Sequence, residues 1–233
     1  LSKILNTSSF LTDKTEIFIN MLTLGVAMSS ILGQMKFVDD QDPILDSLAR
    51  ELSVEEIQAP AMQCFFHEII RFAKGEQSDQ QKHLLVGLAA PQIGFDIRVI
   101  LVDVEADGKG GFARLQLYIN PEIVEFSSDT NRWYEGCFST GNVKGIVDRP
   151  SKITVKALDR TGHEVNETHS GYVARIFQHE IDHLNGVRFP DRVPHHDSLH
   201  IVKAEEMYTY RNQEAWRNWK RTIPQKDWKN HMQ

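Results

Sequence analysis

The chain has 233 residues, of which 41% are hydrophobic and 25% charged; that length supports one domain with an ample core and leaves no room for a second enzyme domain. A formal net charge of −6 disfavours nonspecific or sequence-specific nucleic-acid binding as the main activity. Two cysteines, Cys64 and Cys137, exclude a disulfide-stapled secreted scaffold and fit a reducing compartment, with the cytoplasm as the expected location.

Residues 1–35 are read as an N-terminal extension and 36–233 as the catalytic domain. The apolar stretch Ile17 to Leu32 is interrupted by Asn20, Thr23, Ser29 and Ser30 and is short for a membrane span, which takes about 20 apolar residues. Its flanks lack a secretory signal's basic n-region and small-residue cleavage pattern. A docking helix or an organelle-type leader is expected there, the leader implying an organellar location, and no transmembrane span is expected. Lys74 to His83 is a polar run read as an inserted loop. Cys64, a lone thiol ahead of it, is expected in the core.

Val86-Gly87-Leu88-Ala89-Ala90-Pro91-Gln92-Ile93-Gly94 joins small residues, a proline and one amide just before the apolar run Val99 to Val104, which reads as a strand. A packed strand-to-turn connection with Gln92 incidental is the plainer account of that stretch taken alone. A second strand, Leu117 to Phe126, leads to Glu135-Gly136-Cys137-Phe138-Ser139, a tight segment that can bring a sulfur and backbone N–H groups into a cleft. Strands are also expected at Ile153 to Leu158 and Glu164 to Thr168, the latter pair joined by the turn Asp159-Arg160-Thr161-Gly162.

Val173, Ile176, Phe177, Ile181 and Leu184 repeat with a period near 3.6 and predict a helix closed by Asn185-Gly186. Gln178-His179-Glu180-Ile181-Asp182-His183 puts His179 and His183 on one face of that helix with Glu180 beside them, a two-ligand metal edge with a resident base. On its own this pattern equally fits a surface helix whose polar groups only hydrogen-bond, so it requires a third ligand. A zinc-peptidase layout with a third His six residues on fails, because that position is Phe189. A layout using a Glu from a later helix leaves Glu205 and Glu206 as candidates, and a thiolate leaves Cys137. Leu199 onward reads as a charged C-terminal helix, with Trp216, Trp219 and Trp228 packing it onto the domain. His163, His169, His195 and His196 are not expected to bind the metal. Strands followed by helices give an α+β class.

Taken together and in this order, the three segments resemble peptide deformylase, whose signatures read Gly-x-Gly-x-Ala-Ala-Pro-Gln-x-Gly, Glu-Gly-Cys-x-Ser and Gln-His-Glu-x-x-x-His. The likeness runs from about Asp42 through Phe189-Pro190-Asp191-Arg192. It implies small mixed antiparallel sheets packed around a central metal-bearing helix, with a C-terminal helix. It further implies Cys137, His179 and His183 as metal ligands and Glu180 as the acid–base group. Gln92 and the Phe138 backbone N–H would then receive negative charge on the substrate oxygen. The cofactor implied is one divalent ion, natively Fe2+, with Zn2+, Ni2+ or Co2+ as alternatives.

The activity implied is removal of the N-formyl group from the N-terminal methionine of nascent polypeptides, with a zinc metallopeptidase or a catalytically silent metal-binding relative as the alternatives. Substrate would lie extended beside Val86, Gly87, Leu88 and Gly136, with Tyr172 and Ile176 lining the methionine pocket. A ribosome could be met through the basic stretch Arg217 to Lys229. The chain departs from the pattern at Leu85, where the first glycine belongs, and at Phe138, where leucine is usual. Thr140-Gly141-Asn142 also lacks a common proline. These changes, with the 74–83 insertion, bear on substrate range. Arg149, Glu135 and Asp182 are expected to form a polar network supporting the site.

Overall fold

The computed structural model describes residues 35–76, 85–108, 114–193 and 198–232. Three expectations fall outside them: the extension helix at Ile17 to Leu32, residues 77–83 of the inserted loop, and His195 with His196. Among the described residues no helix is long and apolar enough to cross a membrane.

Two helices open the described chain. α1 (Val54–Gln58) starts at a reciprocal cap, in which the Ser53 side chain accepts from the Glu56 N–H and the Glu56 carboxylate accepts from the Ser53 N–H. α2 (Pro60–Ala73) begins with proline, whose missing N–H costs nothing at that position. Its helical stripe of Met62, Phe65, Phe66, Ile69 and Phe72 is buried.

A five-stranded sheet follows, built from β1 (Gly87–Ala89), β2 (Val99–Asp103), β3 (Leu115–Phe126), β6 (Lys152–Leu158) and β7 (Glu164–Ser170) in the order β1-β2-β3-β6-β7, every pair antiparallel. β2 is buried along its whole length. Its odd residues Val99 and Leu101 join the α2 cluster, while Ile100 and Val102 face a second cluster with Phe177, Ile181 and Leu184. The two-residue alternation of a strand thus sends successive side chains into two separate cores. The second core belongs to α3 (Gly171–Leu184), so this sheet lies between α2 and α3.

α3 ends at Asn185, and Gly186 follows with φ 68°. A Cβ there would lie 2.7 Å from the backbone of Asp46, so glycine is required both by conformation and by space. On the far side of α3 stand β4 (Thr130–Gly136), β5 (Val143–Pro150) and β8 (Leu199–Ile201), in the order β4-β5-β8. The fold is the expected α+β arrangement, with small antiparallel sheets around a central helix.

The structure corrects two details. Leu199 begins a strand rather than a helix, because Leu199-His200-Ile201 pairs with Val143–Gly145 of β5 and this pairing overrides helix propensity. The C-terminal helix proper is α4 (Met207–Asn212), followed by 3-10 turns at Ala215–Asn218 and Gln225–His231. Trp216 and Trp228 in those turns are buried at 2% and 3% exposure, which gives them the expected packing role. Cys64 is exposed, since the α2 stripe runs through Met62, Phe65 and Phe66 and leaves it facing outward.

Candidate metal centre

Helical spacing stacks His179 and His183 one turn apart, with ring centroids at 5.1 Å. Cys137 immediately follows β4, and its Sγ lies 3.2 Å from His183 Nε2. One ligand atom from each of Cys137, His179 and His183 falls within 4.8 Å of the others, which makes the trio a potential metal site and the only such group among the described residues. Neither Glu205 nor Glu206 belongs to it. Glu206 instead pairs with Arg221 and accepts from the Lys203 N–H.

The donors are poised for a cation. Burial pushes the Cys137 thiol up, but the His183 and His179 imidazoles outweigh it and hold the thiol well below its ordinary range. A thiolate is the form that ligates a metal. His179 Nδ1 bonds Glu135 Oε2 at 2.9 Å, which leaves Nε2 for coordination; a carboxylate in this place fixes tautomer and ring orientation. A sulfur and two imidazole nitrogens suit a borderline divalent ion.

Glu135 is itself gripped. Arg149 donates to it through Nε and Nη2 at 2.9 Å each, and Arg175 Nη1 donates at 2.6 Å. Arg149 Nη1 also reaches Asp182 Oδ2 at 2.6 Å, and Arg192 Nη2 reaches Asp182 Oδ1 at 2.7 Å. Burial raises the Glu135 carboxyl, while Arg149 and His179 overcome it and hold the group well below its usual range. Arg175 joins the expected Arg149–Glu135–Asp182 network as an unforeseen member. A cavity of about 620 Å³ opens behind α3 against this network, bordered by Arg98, Asp148, Gln178 and Arg192.

Glu180 is buried, and burial pushes its carboxyl up to about 7 against the lowering pull of His179 and His183. Its Oε2 has no hydrogen-bond partner among the described residues. A Cβ on Gly87 would collide with Glu180 Oε1 and stand 2.7 Å from Ile176 Cγ2, so the missing side chain at Gly87 is what admits the carboxylate beside β1. Gln92 lies in the turn Ala90–Ile93 after β1, and its Oε1 accepts from the Ala89 N–H at 2.8 Å. That bond aims Nε2 at Cys137 Sγ and Ser139 Oγ, both at 3.2 Å. Phe138 opens the turn Phe138–Thr140 directly after the sulfur, with its ring 49% exposed.

The expected peptide-contacting residues lie around this centre. Among the described residues β1 pairs only with β2, and β4, which ends at Gly136, pairs only with β5, so each is an edge strand there. Leu88 is fully buried, which restricts it to main-chain contacts, and Val86 O already accepts from the Asp103 N–H at 2.7 Å. Ile176 borders Gly87, and Tyr172, one turn earlier, borders Gly108. Leu85 points away from the strand edge: its side chain is 5% exposed within the α2 cluster. His163 is exposed, and His169 stacks on Phe177, away from the sulfur. Sequence reasoning missed Ser139 as a partner of Gln92, although it lies within the same short segment as Cys137.

Known proteins resemble this chain in sequence and in fold. The family model for polypeptide deformylase matches residues 34–198. A peptide deformylase of Carboxydothermus hydrogenoformans is 41% identical over 157 residues, 67% of this chain and 91% of the relative. Another, from Thermomicrobium roseum, is 37% identical over 174 residues, 74% of this chain and 93% of the relative. The Met-Ala-Ser-bound crystal structure of a class I type b peptide deformylase from Acinetobacter baumannii superposes with a TM-score of 0.60 at 31% identity, covering 68% of this chain and 98% of that one. With the downstream-glutamate layout unsupported by the geometry and the match extending over most of the fold, the chain belongs to the peptide deformylase family, metal-dependent enzymes that remove the N-formyl group from nascent polypeptides.

Proposed function

We propose that this chain deformylates peptides at the centre formed by Cys137, His179 and His183, with Glu180 as the proton-transfer group. The observation that carries the assignment is the convergence of one sulfur and two imidazoles within 4.8 Å. Cys137, His179 and His183 would hold a divalent ion, which would supply Lewis acidity toward water and a carbonyl oxygen. Fe2+ is the native ion we favour, and the same donors accept Zn2+, Ni2+ or Co2+.

The chain's own groups divide the remaining work. Glu180, with its carboxyl near 7, is matched to accepting a proton from water and delivering it to the departing amine nitrogen near neutral pH. Gln92 Nε2 and the Phe138 backbone N–H serve as donors to the oxygen on which charge develops. The open edges of β1 and β4 accommodate an extended peptide, with Val86, Gly87, Leu88 and Gly136 offering main-chain contacts. Tyr172 and Ile176 line the methionine side of the site. That the Acinetobacter baumannii relative binds Met-Ala-Ser supports this placement.

Residues 36–233 form the catalytic domain in this reading and 1–35 an extension, in keeping with a family match that starts at residue 34. A cytoplasmic location and an encounter with the ribosome through Arg217 to Lys229 complete it, although Arg217, Arg221 and Lys229 are each paired with a carboxylate.

The test is anaerobic loading with ferrous, nickel or zinc ion, followed by assay on formyl-methionyl and acetyl-methionyl peptides. Turnover of the formyl peptide alone is expected, with Glu180→Ala inactive yet still loaded. Cys137→Ala is expected to lose the metal; full occupancy in that variant would overturn the ligand assignment.

A further inference from the structure

We propose that Phe37 is a positioning residue of this centre, holding the Cys137-Phe138-Ser139 turn in place through a ring stack on Phe138. The proposal rests on the reading of the Phe138 N–H as a donor to the substrate oxygen. The Phe37 and Phe138 rings lie 4.7 Å apart and 11° from parallel. Phe37 in turn meets Phe72 edge-on at 5.3 Å and 67°, and Phe72 belongs to the buried face of α2. A continuous line of three rings therefore joins the lip of the site to the first core.

The turn is held largely by side chains. Its own backbone bonds, Thr140 N–H to Cys137 O at 3.3 Å and Gly141 N–H to Phe138 O at 3.4 Å, are long for N–H···O contacts, and Thr140 Oγ1 adds a bond to Cys137 O at 3.0 Å. The segment that carries Phe37 grips the site at two further points. Val38 N–H donates to Gln92 O at 2.9 Å, and buried Arg188 uses Nη1 to bridge Asp40 O at 2.6 Å and Ser139 O at 3.1 Å. Arg188 is held in turn by Asp46 at 2.8 Å and by the Trp228 ring at 4.6 Å. Residues 37–40 thus restrain both proposed donors, Gln92 by its carbonyl and Phe138 by its ring. Oriented donors lose effect when displaced by fractions of an ångström.

The experiment compares full-length wild type, Phe37→Ala, Phe37→Tyr, Phe138→Leu and the Phe37→Ala/Phe138→Leu double variant, each loaded with nickel and assayed on formyl-Met-Ala-Ser. Amide hydrogen exchange is followed over residues 137–141. Phe37→Ala is expected to lower kcat about 3- to 10-fold, the range of one aromatic pair, with metal content unchanged and exchange in 137–141 faster. Phe37→Tyr keeps the stack and is expected to restore both. In the Phe138→Leu background the stacked ring is already gone, so Phe37→Ala should cost little more. If Phe37→Ala does not fold, Phe37→Leu keeps the apolar contact and is expected to shift kcat and exchange in the same direction. Unchanged kcat and exchange, or an equal loss in the Phe138→Leu background, overturns the proposal. No turnover of the formyl peptide by nickel-loaded wild type would sink the proposed function instead, and the exchange comparison then stands apart from it.

Discussion

Gln92 carries two duties that one substitution removes together. Its Oε1 satisfies the buried Ala89 N–H, while Nε2 faces the sulfur and Ser139. Gln92→Leu is expected to keep the metal and lower kcat about 100- to 1,000-fold, the range for one lost oxyanion donor. The orphaned Ala89 N–H should cost about 1–3 kcal/mol of stability as well. Metal analysis, steady-state kinetics and a denaturant melt on one preparation resolve the three effects; a wild-type kcat would remove Gln92 from the mechanism. Gly87 offers a second test, because alanine there must displace both Glu180 Oε1 and Ile176 Cγ2. Gly87→Ala is expected to reduce turnover on the order of 10- to 100-fold, the penalty of a misplaced catalytic group, with the metal retained. Normal kinetics would show that Glu180 tolerates the shift.

Residues differ in how plainly the sequence discloses them. His179, Glu180 and His183 are readable directly, because helical periodicity alone puts them on one face. Cys137 is not, since its approach depends on β4 ending beside α3, and spacing alone keeps Glu205 and Glu206 as a runner-up ligand choice. Phe37 and Arg188 lie in no motif, and their contacts join segments far apart in the chain, Arg188 with Asp40 and Ser139 among them.

At the scale of elements, α3 is a beam fixed on both sides: one face enters the core of the large sheet, and the other is bolted to β4 and β5 through Glu135, Arg149 and Asp182. Removing only the central cation takes from two buried carboxylates the one partner they share, leaving Glu135 to Arg175 and His179 and Asp182 to Arg192. Arg149→Met is therefore expected to cost about 3–5 kcal/mol of stability and to weaken metal affinity 10- to 100-fold by releasing the partner of His179. Chemical denaturation and metal titration check both; retained affinity would mean that Arg175 alone holds Glu135. The sign with pH follows from Glu135. Its folded carboxyl titrates well below 4.5, so its stabilisation is complete above the unfolded value and lost as pH falls through the folded one. Arg149→Met should show less of that acid-side loss than wild type. A continuous apolar run makes β2 readable as a strand, and the 3.6-residue period makes α3 readable as a helix. The three-residue β8 is not readable, because only pairing with β5 makes Leu199–Ile201 a strand.

For the molecule as a whole, the centre draws its parts from both sheets and from α3, so ion binding and folding are coupled. The unfolded chain separates Cys137 from His179 and His183 and has no preformed site. An ion that binds only the folded state stabilises it by about 2.7 kcal/mol at a free concentration 100 times its dissociation constant. In a domain of this size that corresponds to a rise in Tm of roughly 5–11 °C. Nickel-loaded wild type is expected to melt higher than the chelated protein by that amount, and the difference should grow with metal concentration. Cys137→Ala should melt at one temperature with or without nickel. A shift of wild-type size in Cys137→Ala would place the stabilising ion elsewhere. A wild-type Tm that ignores nickel would mean that the assembled centre has no more affinity for the ion than the unfolded chain has, and the orientation of His179 by Glu135 would then have no thermodynamic consequence.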